Sequence, residues 1–261
     1  MATPRIQSVD RAFSLLSHLA RSGGCQSLPS MAAECGLTIA TAHRLLATLE
    51  TLGAVIHTRP GEYRIGLELV ELAGHATRDT LLVAAAEPVM RAITRGLGHT
   101  AHIGVLDEEC MVSYIAKAGR AHEDVPTRIG SQLEAYCSGL GKVLLAAMPQ
   151  QVQDNYIADG PFVALTRNTI TQPEALQQEL ELVARQGYAV DDGEIFDHLR
   201  CIAVPIHGRH GQIIAAISTS GHASKLKRSD VPEVARQLQG YAAQISTKLY
   251  PLAPLPRARQ H

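Results

Sequence analysis

The sequence predicts an α+β protein with a small helical N-terminal domain and a larger C-terminal domain built on a mostly antiparallel sheet. Through the first 52 residues, apolar residues recur every three to four positions, which is the spacing of amphipathic helices. After His99 the apolar residues form short runs in adjacent pairs with helical stretches between them, which favours neighbouring strands. The chain has 261 residues, 46% hydrophobic and 19% charged, enough to build one large domain or two modest ones and too apolar for intrinsic disorder.

Three helices are predicted near the N-terminus. The first covers residues 8–20, with Ser8 as its N-cap, and the second covers residues 28–35 and ends at Gly36. Thr38 is the predicted N-cap of the third helix. The apolar stripe of this third helix consists of Ala42, Leu45, Leu46, Leu49 and Leu52. Two short helices joined by a three-residue turn that contains glycine have the spacing of a helix-turn-helix.

A hairpin is predicted directly after these helices. Residues 54–56 and 63–65 are short apolar runs on either side of the turn at residues 59–61, Arg-Pro-Gly. Three helices followed by a hairpin is the order of a winged helix-turn-helix, which we assign to residues 1–66. Residues 67–79 follow as a linker helix whose apolar face is wide enough to pack against a partner as well as its own chain.

The second domain is predicted over residues 80–250 and is followed by a flexible tail at residues 251–261. Its first helix, residues 81–97, contains Pro88, which we expect to break the helix near its start. Further helices are expected at residues 138–148, 173–186 and 230–249. Strands are expected at residues 99–106, 111–116, 125–129, 200–206 and 212–218.

Several classes of protein are excluded by composition and pattern. No apolar run approaches the 18 or so residues of a membrane span, and the N-terminal apolar residues are interrupted as in a helix rather than continuous as in a secretory signal. The five cysteines are scattered without a CxxC pair, so we expect reduced thiols in a cytoplasmic protein. The formal net charge of −1 names no partner.

No pattern for catalysis or for a cofactor stands out. The pair Gly141-Lys142 is followed by Val143 where a phosphate-binding loop needs Ser or Thr. No GxSxG motif surrounds Ser218 or Ser220. His207 and His210 fall on a predicted turn without a carboxylate or cysteine at ligand spacing, so we expect neither a metal site nor a cofactor.

Motifs along almost the whole chain, about residues 6–250, resemble the isocitrate lyase regulator (IclR) family of bacterial transcription factors. The matching segments are residues 8–12 (SVDRA), 36–49 (GLTIATAHRLLATL), 63–66 (YRIG), 139–146 (GLGKVLLA), 166–171 (TRNTIT), 187–194 (GYAVDDGE) and 199–206 (LRCIAVPI). The resemblance implies a winged helix joined to a GAF-like effector-binding domain. It also implies a regulator of a catabolic operon that binds double-stranded operator DNA and a small organic acid.

The third helix carries the predicted contacts to DNA. A recognition helix reads base edges with outward residues near its N-terminus. These residues, together with one on the wing, are Thr38, Ile39, Ala40, Thr41, His43, Arg44 and Arg59. The family often has a basic residue and a small hydroxyl where this chain has Ile39 and Ala40, which favours contacts to thymine methyl groups. The first 65 residues carry six arginines against four acids and no lysine, a weak charge of +2, so we expect a homodimer or homotetramer that binds two half-sites.

A second predicted site is for the effector. Ser138 opens a helix, and Gly139 in its first turn leaves backbone N–H groups open to a carboxylate. Ser218 and Ser220 alternate along a strand and so share a face. By resemblance, the effector-contacting positions are Gly139, Leu140, Asp191, Cys201, Ser218 and Ser220, with the segment near Val125 lining the pocket wall. The segment 133–138 (LEAYCS) resembles the branch of the family that controls aromatic-acid catabolism, including regulators that respond to protocatechuate and 4-hydroxybenzoate.

Other readings of the same residues stay open at this point. Cys201 fits a small buried hydrophobe, Ser220 a cap on the turn before Gly221, and Asp191 a turn or cap acid. At the level of function, the alternatives are a small-molecule-binding protein or enzyme without DNA-binding activity, and an architectural dimer with an empty pocket.

Overall fold

The computed structural model describes residues 5–74, 76–119 and 127–251. These residues form two compact units, the first ending at Thr77 and the second beginning at Arg78. The assignment of residues 67–79 to a separate linker stays a prediction. Within the described ranges, no helix is long and apolar enough to cross a membrane.

The first unit is a winged helix-turn-helix. Its elements are α1 (Gln7–Arg21), β1 (Cys25–Ser27), α2 (Leu28–Glu34), α3 (Ile39–Thr51), β2 (Val55–Arg59), β3 (Glu62–Ile65) and α4 (Leu67–Gly74). The three strands pair in the order β1-β3-β2, all antiparallel. The predicted hairpin is confirmed, and the short strand β1, which sequence reasoning missed, pairs with its second arm.

One core holds α1, α2 and α3 against this small sheet. Leu15 and Leu19 of α1 meet Met31 of α2 and Leu46 of α3, all fully buried. Thr38 caps α3 as predicted, because its hydroxyl accepts a hydrogen bond from the Thr41 amide at 3.2 Å. The cap therefore fixes where α3 begins, and the side of α3 that does not pack in the core faces solvent.

Three details of the predicted first unit are wrong. Ser8 does not cap α1, which begins at Gln7 after Ile6 and has no side-chain cap. Leu52 is 62% exposed, because α3 ends at Thr51 and Leu52 is the C-cap residue beyond the buried stripe. The helix predicted at residues 67–79 is shorter, because α4 covers Leu67–Gly74, and α4 buries none of its residues within the unit.

The second unit is a six-stranded antiparallel sheet with helices on both faces. Its helices are α5 (Arg78–Leu97), α6 (Gly139–Leu145), α7 (Gln150–Ala158), α8 (Pro173–Gln186), a 3₁₀ turn (Arg228–Asp230) and α9 (Val231–Leu249). Its strands are β4 (Thr100–Leu106), β5 (Met111–Ala118), β6 (Gln132–Glu134), β7 (Ala189–Asp192), β8 (Leu199–His207) and β9 (Ile213–His222). The strand order is β6-β5-β4-β9-β8-β7.

Alternation along the strands divides the core between the two faces of this sheet. On one face, α5 and α9 pack against residues such as Ile103 and Ile217. On the other face, α6 and α8 pack against residues such as Ala203 and Ala216. Asp191, two positions after the buried Ala189, shares this second face.

The structure corrects two predictions for the second unit. Pro88 does not break α5, which stays helical from Arg78 to Leu97 because residues on both sides of the proline, from Leu82 to Ile93, are buried against the sheet. Residues 127–129 are not a strand, and the edge strand β6 lies further along the chain. Ser220 lies on a strand as predicted, and the alternative of a cap in a turn is wrong, since β9 continues to His222. Sequence reasoning also missed α7. The predicted tail, apart from Pro251, lies outside the described residues.

Candidate DNA-reading surface and effector cavity

The first candidate site is the surface of α3 and the wing, called here the α3–wing surface: Thr38, Ile39, Ala40, Thr41, His43, Arg44 and Arg59. All of these residues are exposed except Thr41, which is half-buried. The opposite side of α3 carries Ala42, Leu46 and Leu49 into the core. The outward residues thus occupy one side of a helix that is anchored by the other.

The beginning of α3 holds its own hydroxyls in place. Thr38 and Thr41 share a hydrogen bond at 2.9 Å between their side-chain oxygens. Arg44 is one turn further along and makes no salt bridge among the described residues. Its guanidinium is therefore open to fork onto a phosphate or a guanine edge.

The wing is stiffened by an aromatic contact and a turn. His57 stacks on Tyr63 across β2 and β3, with ring centroids 4.9 Å apart. The amide of Gly61 in the turn donates to His57 Nε2 at 3.0 Å. These contacts hold the exposed end of β2, where Arg59 lies, in a defined hairpin.

The second candidate site is a cavity between α6 and the sheet, called here the α6 cavity. Five of the residues predicted from sequence line it: Gly139, Leu140, Asp191, Cys201 and Ser220. They meet because Cys201 pairs directly with Asp191 on one side and with Ser220 on the other in the ladder of β7, β8 and β9. Gly139 then lies above Cys201, and a Cβ added to this glycine would stand 3.3 Å from the thiol sulfur.

One predicted residue that the structure describes, Ser218, does not line the α6 cavity. Ser218 is fully buried, faces the same side of the sheet as Ser220, and lies beside the Cys201 thiol, a weak hydrogen-bonding group. Its hydroxyl has no full-strength hydrogen bond within the described part of the chain. Val125 lies outside the described residues.

Sequence reasoning missed three polar or aromatic residues of the cavity: His102, Tyr114 and Phe196. His102 and Tyr114 contact each other edge to face, with ring centroids 5.4 Å apart. His102 Nε2 also shares a hydrogen bond of 2.7 Å with the hydroxyl of Thr127. Alternation along a strand predicts which residues share a face with His102. That His102 lies opposite Ser218 follows only from the pairing of β4 with β9.

Burial keeps most ionisable groups of the α6 cavity neutral. It lowers the pKa of His102 to about 3, with Lys117 adding to the effect, so the imidazole carries no charge at neutral pH. It raises the pKa of Cys201 to about 11, and Asp191 adds to that shift, so the thiol stays protonated. A thiol of this kind is a poor nucleophile.

Asp191 is the acid of the α6 cavity. Burial raises its pKa to about 6, although hydrogen bonds from the amides of Glu194 and Ile195 and the charge of Lys142 act in the opposite direction. The Glu194 amide donates to Asp191 Oδ1 at 2.6 Å. At neutral pH this carboxylate is a hydrogen-bond acceptor close to the point where it takes up a proton.

The α6 cavity is closed in this structure. Its volume is about 30 Å³, room for one or two water molecules, whereas ligand pockets commonly measure about 300–1,000 Å³. A larger groove of about 450 Å³ lies against the far end of α6, but alanine, valine and other apolar residues make up most of its wall. Of the α6 cavity and this groove, only the α6 cavity combines buried hydroxyls, an acid and the amides at the start of a helix.

Among the described residues, no group of three or more histidine, cysteine or acidic side chains could hold a metal ion. The fold, a winged helix-turn-helix unit followed by an α+β unit on an antiparallel sheet, is the architecture of a DNA-binding regulator of transcription.

Comparison with known proteins gives this class a family. Residues 8–57 match the model of the IclR helix-turn-helix domain, and residues 74–247 match the C-terminal domain of IclR bacterial transcriptional regulators. The chain belongs to the IclR family, as its motifs predicted. It is a DNA-binding transcriptional regulator and not an enzyme.

Characterised relatives align along most of the chain. The transcriptional regulator KdgR of Escherichia coli is 34% identical over 211 residues, 80% of each chain. The transcriptional repressor IclR of Escherichia coli is 30% identical, covering 89% of this chain and 86% of its own. The Pca regulon regulatory protein of Pseudomonas putida is 33% identical, covering 74% and 67%.

Solved structures share the fold. The IclR protein of Thermotoga maritima superposes with a TM-score of 0.61 at 28% identity, covering 94% of this chain and 98% of its own. An IclR homologue from Microbacterium hydrocarbonoxydans, crystallised with 4-hydroxybenzoate, gives a TM-score of 0.63 at 24% identity, covering 94% and 100%.

Proposed function

We propose that the chain regulates a catabolic operon in the bacterial cytoplasm by reading operator DNA with the α3–wing surface and sensing a small organic acid in the α6 cavity. The observation that carries the proposal is the convergence of polar groups in a buried site: the first amides of α6, the Ser220 hydroxyl and the Asp191 carboxylate. A compact ligand with a carboxylate and a hydroxyl suits such a site.

The acid binds through complementary groups in this proposal. Its carboxylate accepts from the amides of Gly139 and Leu140, which precede the first hydrogen-bonded turn of α6. Ser220 donates from the sheet, with Ser218 behind it, and Asp191 accepts from a ligand hydroxyl. The rings of Tyr114, His102 and Phe196 favour an aromatic acid, because they supply apolar faces and edges to a planar ligand.

Binding requires the closed cavity to open. Ile195 and Phe196 lie on the turn between β7 and β8, and Phe196 is 38% exposed. Phe196 is the most exposed ring on the border of the α6 cavity, so we expect its side chain to move outward when the acid enters, while the turn that carries it stays in place. Opening of this kind gives the second unit two states that a ligand can shift.

The DNA-reading half of the proposal rests on exposure and chemistry. Arg44 reaches a guanine edge or a phosphate, Thr41 a phosphate or thymine methyl, and Arg59 the backbone or minor groove beside the wing. Ile39 and Ala40 suit thymine methyl groups. With so few cations, we expect at least a dimer, joined through the first unit and α4, whose Leu67, Val70 and Leu72 are exposed.

A mobility-shift experiment tests the proposal as a whole. The full chain is titrated onto the DNA upstream of its own gene, with and without 4-hydroxybenzoate, protocatechuate, benzoate and short aliphatic acids. We expect a specific complex, and a change in its midpoint with at least one acid that carries both a carboxylate and a hydroxyl. A complex that no acid alters would refute the sensing half, and the lack of any specific complex would refute the DNA-reading half.

A further inference from the structure

A buried ion cluster lies directly behind the α6 cavity. Lys142, on α6, has no exposed surface, although burying an ammonium is costly unless it is paired. Its Nζ donates to Glu194 Oε1 at 2.5 Å, to Glu179 Oε1 at 3.0 Å and to the carbonyl of Val190 at 2.6 Å. All three ammonium protons therefore have acceptors.

Each acceptor comes from a different part of the second unit. Val190 is on β7, next to Asp191, Glu179 is on α8, and Glu194 is on the turn after β7. Lys142 itself is one turn after Gly139 on α6. One side chain thus ties the helix that carries the proposed carboxylate donors to the strand that carries the proposed acceptor.

Glu194 extends the connection to Asp191. Its side chain holds Lys142, while its own amide donates to Asp191 Oδ1 at 2.6 Å. Its carbonyl accepts from the Thr169 hydroxyl at 2.7 Å, and Thr166 donates to the neighbouring carbonyl of Gly193 at 2.6 Å. The turn that bears Glu194 is therefore held on both sides, and its position sets that of the Asp191 carboxylate.

We propose that Lys142 is a positioning residue of the α6 cavity, which fixes the spacing between the amides at the start of α6 and the carboxylate of Asp191. The inference rests on the proposed effector site for its functional meaning. A pair of buried charges adds little stability compared with apolar residues of similar volume, so stability alone gives no reason to place an ammonium here. A ligand that bridges α6 and β7 needs their spacing held, and three directional hydrogen bonds hold it better than apolar contacts.

The charges around the cluster agree with this role. Lys142 faces Glu194, Glu179 and, at longer range, Asp191; Asp191 also lies near Asp192, Cys201 and Tyr114. Burial raises the pKa of Glu194 and that of Asp191, and the positive charge of Lys142 opposes the rise in both. Lys142 therefore favours the ionised form of Asp191, the form that accepts two hydrogen bonds from the turn.

Amide hydrogen exchange on the full chain without ligand tests the inference. The variant K142M alone leaves Glu194 buried without its cation and can fail to fold, so the deciding variant is the double substitution K142M/E194Q, which removes both charges. Two controls accompany it. E194Q keeps an oxygen that accepts from Lys142, and R228Q removes an exposed cation that pairs with Asp192 on the same strand.

In K142M/E194Q we expect exchange to rise about tenfold or more in two segments, residues 139–145 and residues 191–195, while the amides of β4, β8 and β9 keep their protection. E194Q and R228Q should match the wild type in both segments. Unchanged exchange in the double variant would overturn the inference, and so would a uniform rise across the second unit, which is what a general loss of stability produces. This readout needs no effector, so it is independent of whether the α6 cavity binds an acid.

Discussion

Six of the seven residues of the α3–wing surface are exposed, whereas the acid, the thiol and the histidine of the α6 cavity are buried or nearly so. The surface depends on one helix and one hairpin that are contiguous in sequence. The cavity draws on all six strands β4 to β9, on α6 and on the turn after β7, which come together only through long-range pairing. The first site is made by local structure and the second by the register of the sheet.

This difference has energetic consequences. An exposed side chain can be removed without disturbing packing, so variants of the α3–wing surface other than those of the capping Thr38 should change binding and leave stability unchanged. In the α6 cavity, binding groups are also packing groups, and small changes in volume or charge should affect both. The four predictions below use this contrast, beginning with the largest effect.

The largest effect is expected for Gly141→Ala. A Cβ at this position would lie 2.2 Å from the carbonyl oxygen of Ala135, which is backbone and cannot give way cheaply. We expect a loss of about 3 kcal/mol in the unfolding free energy of the second unit, the upper end for overpacked sites. Urea unfolding measures this loss of free energy.

Gly139→Ala is the matched control, because the nearest side-chain atoms to its Cβ would be the Cys201 sulfur at 3.3 Å and the Ala203 methyl at 3.4 Å. Equal stability of the two variants would contradict the argument.

The next effect concerns pH. The pKa of Asp191 is raised to about 6 in the folded protein, so between about pH 4 and pH 6 the folded state keeps a proton that the unfolded state releases. Its contribution to stability therefore falls as pH rises through this window, by about 2 kcal/mol for a shift of this size. The unfolding free energy of the wild type, taken relative to that of D191N, should therefore fall by this amount between pH 4 and pH 7. A difference that is constant with pH would show that Asp191 titrates normally.

On the DNA side, Arg44→Ala should weaken binding to the cognate site by about 1–3 kcal/mol, the range for a good bidentate contact. The melting temperature should not change, because the guanidinium lies off the buried stripe of α3. Arg21→Ala is the control, since it removes the same charge from an exposed position at the end of α1. If both variants lose affinity equally, Arg44 contributes to DNA binding only through its positive charge and not through a specific contact.

The smallest effect separates the two serines. Ser220 lines the α6 cavity and Ser218 lies behind it, so S220A should weaken acid binding by about 0.5–1.5 kcal/mol, as for a neutral hydrogen bond, and S218A by less. Because the buried Ser218 hydroxyl lacks a full-strength partner, S218A should also be neutral or stabilising. Calorimetric titration with the acid that alters the mobility shift measures both. A larger loss for S218A would mean that the ligand reaches deeper into the sheet than proposed.

What could be predicted from sequence follows the same division. The hydrophobic period placed α3, its Thr38 cap and the hairpin, because each depends on neighbours in sequence. The sequence also indicated that Ser218 and Ser220 share a face, since alternation is local. It could not show that Ser218 stops short of the cavity, or that His102 and Tyr114 complete it, because these facts depend on the pairing of β4 with β5 and β9.

Pro88 and Lys142 are two further residues whose structural role could not be predicted from the sequence. The proline predicted a break that packing of α5 against the sheet overrides. In the sequence, Lys142 belongs to a segment that lacks the Ser or Thr of a phosphate-binding loop. Its three acceptors come from distant positions, 179, 190 and 194. A lysine in a helix normally faces solvent, and nothing in its own neighbourhood indicates complete burial.

The central claim, that DNA reading and acid sensing reside in separate sites of the two units, is tested most directly by one mobility-shift series. Wild type, R44A and S220A are each titrated onto the upstream DNA across a range of acid concentrations. We predict that R44A loses DNA affinity at every acid concentration, whereas S220A binds DNA as the wild type does but needs about threefold to tenfold more acid for the same change. DNA binding by R44A at wild-type affinity, or a loss of DNA affinity by S220A without acid, would contradict it.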